Sequence, residues 1–329
     1  MGGGRQRTVE RFMIARIDVR PTKGKRMQKH LAAALLATVL TAPAFAATAT
    51  VPRAVIADPP RDAAHPARNR QVLVLSHGGG MNALFMLAAG AGPKPTMVLL
   101  HGLPGNEQNL DLAQAVRRAG WNVLTLHYRG SWGSPGRFTL AGAGEDVEAA
   151  MAFLRQPDTI AQFGIDPQRI VIAGHSMGGF FAARYAATHD DVAGVVLLDP
   201  WNIGATGKHV AAHPETRQDA IADLGDDFGN SLAGTDAARL VAEAERHAQD
   251  WDLLDTAPAL ARKPVLIVAA EHGNAAQVAP LAAAFRGQRG AQVQAVTLPS
   301  DHAFADKRIA LASITVDWLA ARRPRAAPK

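Results

Sequence analysis

Ser176 stands between Gly174 and Gly178 in the run AGHSMGGF (173–180). A serine hydroxyl is a weak nucleophile until a base takes its proton and the backbone presents it at the apex of a tight turn. Such a turn needs small residues two positions to either side, where larger side chains would meet the chain. The apolar run RIVIAG (169–174) precedes the serine, and GFFAARYAATH (179–189), rich in alanine and aromatic residues, follows it. Strand, G-x-S-x-G and helix together make a nucleophile elbow, with a helix N-terminus that favours developing negative charge. Ser176 is the candidate nucleophile for acyl transfer.

Other chemistry-bearing stretches point elsewhere. KHVAAHPE (208–215) places His209 and His213 four apart, but no glutamate follows the first histidine, so the zinc-protease pattern fails and no metal is expected. AGAGPKP (89–95) and GAGED (142–146) do not match a phosphate loop. SHGGG (76–80) lies between two apolar runs and reads as a hairpin turn. The chain has no cysteine, which excludes disulfides and thiolate chemistry.

The elements that must position Ser176 follow from the apolar periodicity. QVLVLS (71–76) and ALFMLAA (83–89) read as two strands joined by a glycine turn. TMVLLHG (96–102), WNVLTLHY (121–128), RIVIAG (169–174), VAGVVLLD (192–199), PVLIVAA (264–270) and AQVQAVTLP (291–299) read as further strands. Continuous apolar runs of this kind suit parallel strands buried on both faces. Helical patterns alternate with them at 109–120, 143–156, 179–189, 275–287 and 307–323. The alternation implies an α/β fold, a doubly wound and mostly parallel sheet with helices on both faces. Residues 201–263 interrupt it with helical pieces (234–249) and the tryptophans Trp201 and Trp251. An insertion there is expected to lie as a helical lid over the strands' C-terminal edge, where open α/β sheets hold ligands. The core is then 70–200 plus 264–329.

With GHSMG in this setting, residues 70–323 resemble the α/β-hydrolase family. The resemblance covers serine esterases and lipases, with dienelactone-hydrolase-like and serine-aminopeptidase-like branches. It implies an oxyanion hole from two backbone amides: Met177, after the nucleophile, and Leu103 in HGLPG (101–105), after the third strand. It implies a catalytic histidine after the last strand, where PSDHAFADKR (299–308) offers His302. His175, beside the serine, is expected to support the turn. For the acid it leaves two places open. Glu271 follows the strand before the last, where this chain has His272 and Gly273 at the positions an aspartate often takes. Asp199 ends the strand after the nucleophile helix, in a Leu-Asp-Pro context. Asp301 is a weaker third candidate. YRGSWGSPG (128–136) resembles a pocket-lining loop of these branches, which makes Tyr128 and Trp132, with Trp201, candidate substrate contacts.

The net charge of +6 lies within residues 1–26, which hold eight basic and two acidic groups. The rest is balanced, which argues against a nucleic-acid surface. From Met27, a basic start at Lys29, the apolar stretch 31–42 and Ala44-Phe45-Ala46 form the pattern of an export signal, too short to span a bilayer. Residues 1–46 thus read as a basic extension plus signal peptide, with Met1 or Met27 as the start. Residues 47–69, rich in Ala, Pro and Arg, read as a loose mature N-terminus. The expected protein is an exported hydrolase, periplasmic or secreted, without a membrane anchor once the signal is cleaved. It would cleave a small carboxylic ester through an acyl-enzyme, with no cofactor. A peptidase on the same machinery and a non-catalytic binding member of the fold are the alternatives.

Overall fold

The computed structural model describes residues 50–225, Phe228 and 231–322. The basic extension, the expected signal peptide and the first mature residues, up to 49, lie outside the described residues. Eight strands form one sheet: β1 (Arg68–Ser76), β2 (Gly79–Leu87), β3 (Lys94–Leu100), β4 (Asn122–Leu126), β5 (Ile165–His175), β6 (Gly194–Leu198), β7 (Pro264–His272) and β8 (Gln292–Asp301). Their spatial order is β1-β2-β4-β3-β5-β6-β7-β8. β1 and β2 are antiparallel, β2 joins β4 antiparallel, and every later pairing is parallel. The turn between β1 and β2 is His77-Gly78, so SHGGG is a hairpin turn, as its position between two apolar runs implied.

Among the described residues the helices are α1 (Arg53–Ile56), α2 (Leu110–Arg118), α3 (Leu140–Phe153), α4 (Pro157–Phe163), α5 (Met177–Thr188), α6 (Ile203–Ala212), α7 (Arg217–Gly225), α8 (Ala237–Arg246), α9 (Ala257–Leu260), α10 (Ala275–Arg286) and α11 (Arg308–Ala320). Outside the insertion, two short helices were not foreseen. α1 is a single turn inside the stretch read as loose. α4 starts at Pro157, which suits a first helical position, and ends on Gly164 at φ 60°.

β3, β4, β6, β7 and the second half of β5 are buried over nearly all their length because both faces of the sheet are covered there. Val98, Leu100, Ile172, Val195, Leu197, Val265 and Ile267 face one core together with residues of α3, α5 and α10. Their neighbours Met97, Leu99, Val171, Ala173, Val196, Leu198, Leu266 and Val268 face a second core with α2 and α11. The strands' C-terminal ends then line one edge, where β5 ends on His175 beside Leu198 and β7 pairs through His272 with Asp301.

Residues 201–263 hold α6 to α9 and join the first of these cores through Ile203, Leu240, Ala244 and Leu253. α6 and α8 approach closely: a Cβ on Gly207 would come 2.1 Å from the Ala244 carbonyl oxygen. Buried Glu243 on α8 accepts the amides of Leu140 (3.0 Å) and Ala141 (2.8 Å). A carboxylate thereby caps the N-terminus of α3, where helix amides have no partner within the helix.

Candidate active site

Ser176 lies between the last residue of β5 and the first of α5, at φ 53°, ψ −118°. That left-handed backbone is costly for a residue with a side chain, and surrounding contacts must hold it. The Ser176 amide donates to the Leu198 carbonyl (2.9 Å), and its own carbonyl accepts from Trp201 (3.1 Å) and Phe180 (3.1 Å). A Cβ on Gly178 would lie 2.3 Å from the Leu100 carbonyl oxygen, and one on Gly174 would lie 2.1 Å from that of Gly178. The two glycines of the motif are therefore required by backbone packed against backbone.

His302 follows β8, and its Nδ1 lies 2.6 Å from Asp199 Oδ2. Asp199 is fully buried, directly after β6, with φ 43°. Its Oδ1 accepts the Ala270 amide (2.9 Å), its Oδ2 also accepts the Asn274 amide (2.8 Å), and the Asn274 side chain donates to its carbonyl (3.1 Å). The carboxylate is acceptor-only there, so Nδ1 of His302 carries the hydrogen. Nε2, on a side chain 40% exposed, is left as the basic nitrogen.

Glu271, the other candidate acid, is exposed as the penultimate residue of β7. The contact with His302 belongs to Asp199, and Gly273 shows why. A Cβ on Gly273 would stand 2.3 Å from Asp199 Oδ2 and 3.0 Å from the His302 Cα. The carboxylate reaching over from β6 fills the space that a side chain at 273 would need. Asp301 is also exposed, and its Oδ1 accepts the Ala305 amide (2.8 Å).

His175 supports the base rather than the turn alone. Its Nε2 donates to the His302 carbonyl (2.8 Å), and the two rings lie 4.6 Å apart. Burial, reinforced by neighbouring His302, lowers its pKa to about 3, so the ring is neutral. Arg308, at the start of α11, donates to the Ala303 carbonyl (2.8 Å) and to Asn109 Oδ1 (3.0 Å), and pairs with Asp111. It ties the residue after His302 to the N-terminus of α2. Neither Arg308 nor Asn274 was foreseen. Their signal, a polar residue near a loop, does not distinguish them from solvated neighbours, whereas a glycine at 273 was visible and its meaning was not.

The HGLPG loop packs on the serine: a Cβ on Gly102 would stand 2.9 Å from the Ser176 Cβ. Leu103 is half-buried against the core, and Met177 is buried as the first residue of α5. Buried His101 donates through Nδ1 to the Gly102 carbonyl (2.7 Å), and burial lowers its pKa to about 4. Tyr128 is corrected as a substrate contact. It is 0% exposed and its hydroxyl donates to the His101 carbonyl (3.1 Å), so it supports the loop from beneath. Trp132 is 42% exposed, and its Nε1 donates to the Pro104 carbonyl (2.8 Å). Trp201 is half-buried, and its Nε1 donates to Thr206 Oγ1 (2.8 Å). The rings of His209 and His213 lie 4.9 Å apart and tilted by 40°, with Glu215 Oε1 3.3 Å from His213 Nδ1 on an exposed surface.

Comparison with known proteins agrees with this architecture. A family model described as the alpha/beta hydrolase fold matches residues 95–230. The protein named "Putative esterase YheT" of Escherichia coli (strain K12) is 31% identical over 124 residues. That stretch is 36% of this chain and 35% of the Escherichia coli protein, so the chain matches about a third of that relative's length. Among solved structures, Est1E from Butyrivibrio proteoclasticus has a TM-score of 0.57 at 19% identity, covering 77% of this chain and 98% of its own. The acylaminoacyl peptidase of Pyrococcus horikoshii has a TM-score of 0.57 at 14% identity, covering 80% of this chain and 43% of its own. Likeness at these identities concerns the fold.

Proposed function

This chain being an α/β-hydrolase by fold, we propose that it is a serine hydrolase that cleaves carboxylic esters through an acyl-enzyme on Ser176. The observation that carries this reading is the 2.6 Å bond from His302 Nδ1 to buried Asp199, beside a serine held at a strained positive φ. That bond fixes the imidazole tautomer and stabilises the imidazolium that forms during turnover. Nε2 of His302 takes the Ser176 proton as Oγ attacks the ester carbonyl. The carbonyl oxygen becomes an oxyanion, held by the amides of Met177 and Leu103. Met177 opens α5, so its amide is one of the donors that a helix leaves unpaired. Each well-placed oxyanion donor is worth about 3 kcal/mol. The tetrahedral intermediate then collapses. His302 returns the proton to the leaving alcohol, and water activated by the same nitrogen hydrolyses the acyl-enzyme. None of these steps requires a cofactor.

The sequence relative whose name gives it as an esterase supports an ester over an amide. The substrate proposed is a small ester. The export pattern in 27–46 supports a periplasmic or secreted location, which N-terminal sequencing of the mature protein tests: a start near Ala47 is expected, and an uncleaved leader would count against export. The enzyme reading is tested by fluorophosphonate labelling of the folded protein, with Ser176→Ala as control. Labelling that depends on Ser176 is expected, and its absence would point to a non-catalytic member of the fold. Parallel assays on 4-nitrophenyl acyl esters and aminoacyl anilides decide the bond cleaved. A higher kcat/KM on the anilides would make this a peptidase.

A further inference from the structure

The loop after β4 connects two parts of the molecule that the proposed chemistry treats separately. From one side of Trp132, the indole Nε1 reaches the Pro104 carbonyl at 2.8 Å, one residue beyond Leu103. From the other, its backbone amide donates to the Ser231 carbonyl at 2.9 Å, in the insertion. The neighbours continue this second contact. The Ala233 amide donates to the Gly130 carbonyl (2.7 Å), the Phe138 amide to the Ala233 carbonyl (2.9 Å), and Ser131 bridges Leu232 in antiparallel fashion. Trp132 itself has φ 47°, a left-handed backbone that needs such contacts to persist. Its ring centroid lies 6.2 Å from that of His127, which lies 5.3 Å from that of His101, the first residue of HGLPG. Gly105 leaves room for the approach, since a Cβ there would stand 2.6 Å from Trp132 Nε1.

An oxyanion donor works only at hydrogen-bond distance from where the charge develops, so the peptide that carries it must be held in place. Pro104 has no amide with which to anchor itself, which leaves its carbonyl as the handle. We propose that Trp132 is a positioning residue: its indole holds the 103–104 stretch at the depth that the second oxyanion donor needs, and its backbone ties this clamp to residues 231–233. The proposal rests on the serine-hydrolase reading for its effect on rate, but not for the clamp itself. Its consequence is that seating of the insertion is transmitted to the oxyanion loop through one side chain. The indole donor serves the enzyme's own backbone, while the exposed part of the ring stays open at the surface.

The test is Trp132→Phe, which keeps an aromatic ring and removes the donor. On a 4-nitrophenyl ester kcat is expected to fall roughly 10- to 100-fold with KM changed less than about threefold, as for loss of a contact made in the transition state. Hydrogen exchange of the peptide containing 101–108 is expected to quicken by about fivefold or more, without loss of the global unfolding transition. An unchanged kcat with a raised KM would make Trp132 a wall of the substrate pocket and overturn the proposal. Unchanged exchange would overturn the clamp. Ala233→Pro attacks the same tie from the insertion, and should also quicken exchange at 101–108; no change there would sever the insertion from the scheme. Should the wild type show neither Ser176 labelling nor ester turnover, the serine-hydrolase reading fails, and the exchange measurement still decides the clamp.

Discussion

At Asp199 three donors converge on one buried carboxylate: the Ala270 and Asn274 amides and His302 Nδ1. Asp199→Asn keeps the shape but presents the wrong group to His302, so kcat/KM on a nitrophenyl ester should fall about 10³- to 10⁴-fold. Glu271→Gln, at an exposed position, should stay within about twofold. The reverse ranking would return the acid to β7. Gly273→Ala puts a methyl group where the carboxylate already is, with a Cβ 2.3 Å from Asp199 Oδ2. It should lower both activity and melting temperature, and wild-type values for both would show that the site yields more easily than its packing implies. Ser176 was legible from its own motif because the elbow's demand for glycine is local. The acid was not, because Asp199 and Glu271 each follow a strand and precede His302 in the chain. Which of them reaches the imidazole depends on how neighbouring strand ends are staggered, as between β6 and β7.

The elements are fitted to one another by polar contacts at their ends. Glu243, from α8, accepts both the Leu140 and the Ala141 amides at the start of α3. Glu243→Ala leaves the buried Leu140 amide and the Ala141 amide without their carboxylate and should cost about 1–2 kcal/mol, read as a shift in urea midpoint. A change below about 0.3 kcal/mol would mean that Thr139, whose side chain accepts the Gly142 amide (2.9 Å), caps α3 adequately alone. At the sequence level, the strands and long helices were legible because burial on two faces gives unbroken apolar runs and amphipathic spacing. α4 was missed, and β5 begins at Ile165 rather than 169. A seven-residue helix is too short to display periodicity, and the exposed positions at the start of β5 read as loop. The insertion's helices were legible in outline, yet their close packing, with Gly204 against Trp251 and Gly207 against Ala244, concerns distant residues that no local pattern reveals.

For the whole molecule, His101 and His175 make stability depend on pH. Burial is the main cause in both, lowering their pKa values to about 4 and about 3. In the unfolded chain each titrates near 6.5. Below that pH the unfolded state binds protons that the native state refuses, so stability falls as pH falls. The contribution is fully present above about 6.5 and is lost progressively towards about 4 and then 3. The urea midpoint should therefore hold from pH 7.5 to about 6.5 and drop from there to pH 4.5. His175→Gln, whose amide can still donate to the His302 carbonyl but does not titrate, should lessen the slope throughout the falling part of that curve, below about pH 6.5. An identical slope in the variant would assign the acid sensitivity to other groups. The sequence by itself determined the layered α/β architecture, the candidate serine with its turn, and the HGLPG loop and His302 as the further candidates, because each depends on short-range sterics or on burial periodicity. Only the tertiary structure decided that Asp199 rather than Glu271 meets His302, that Tyr128 lies beneath the loop, and that Trp132 joins the loop to the insertion. Those are relations between strand ends and loops far apart in the chain, and distances across a sheet edge are fixed by packing, not by spacing.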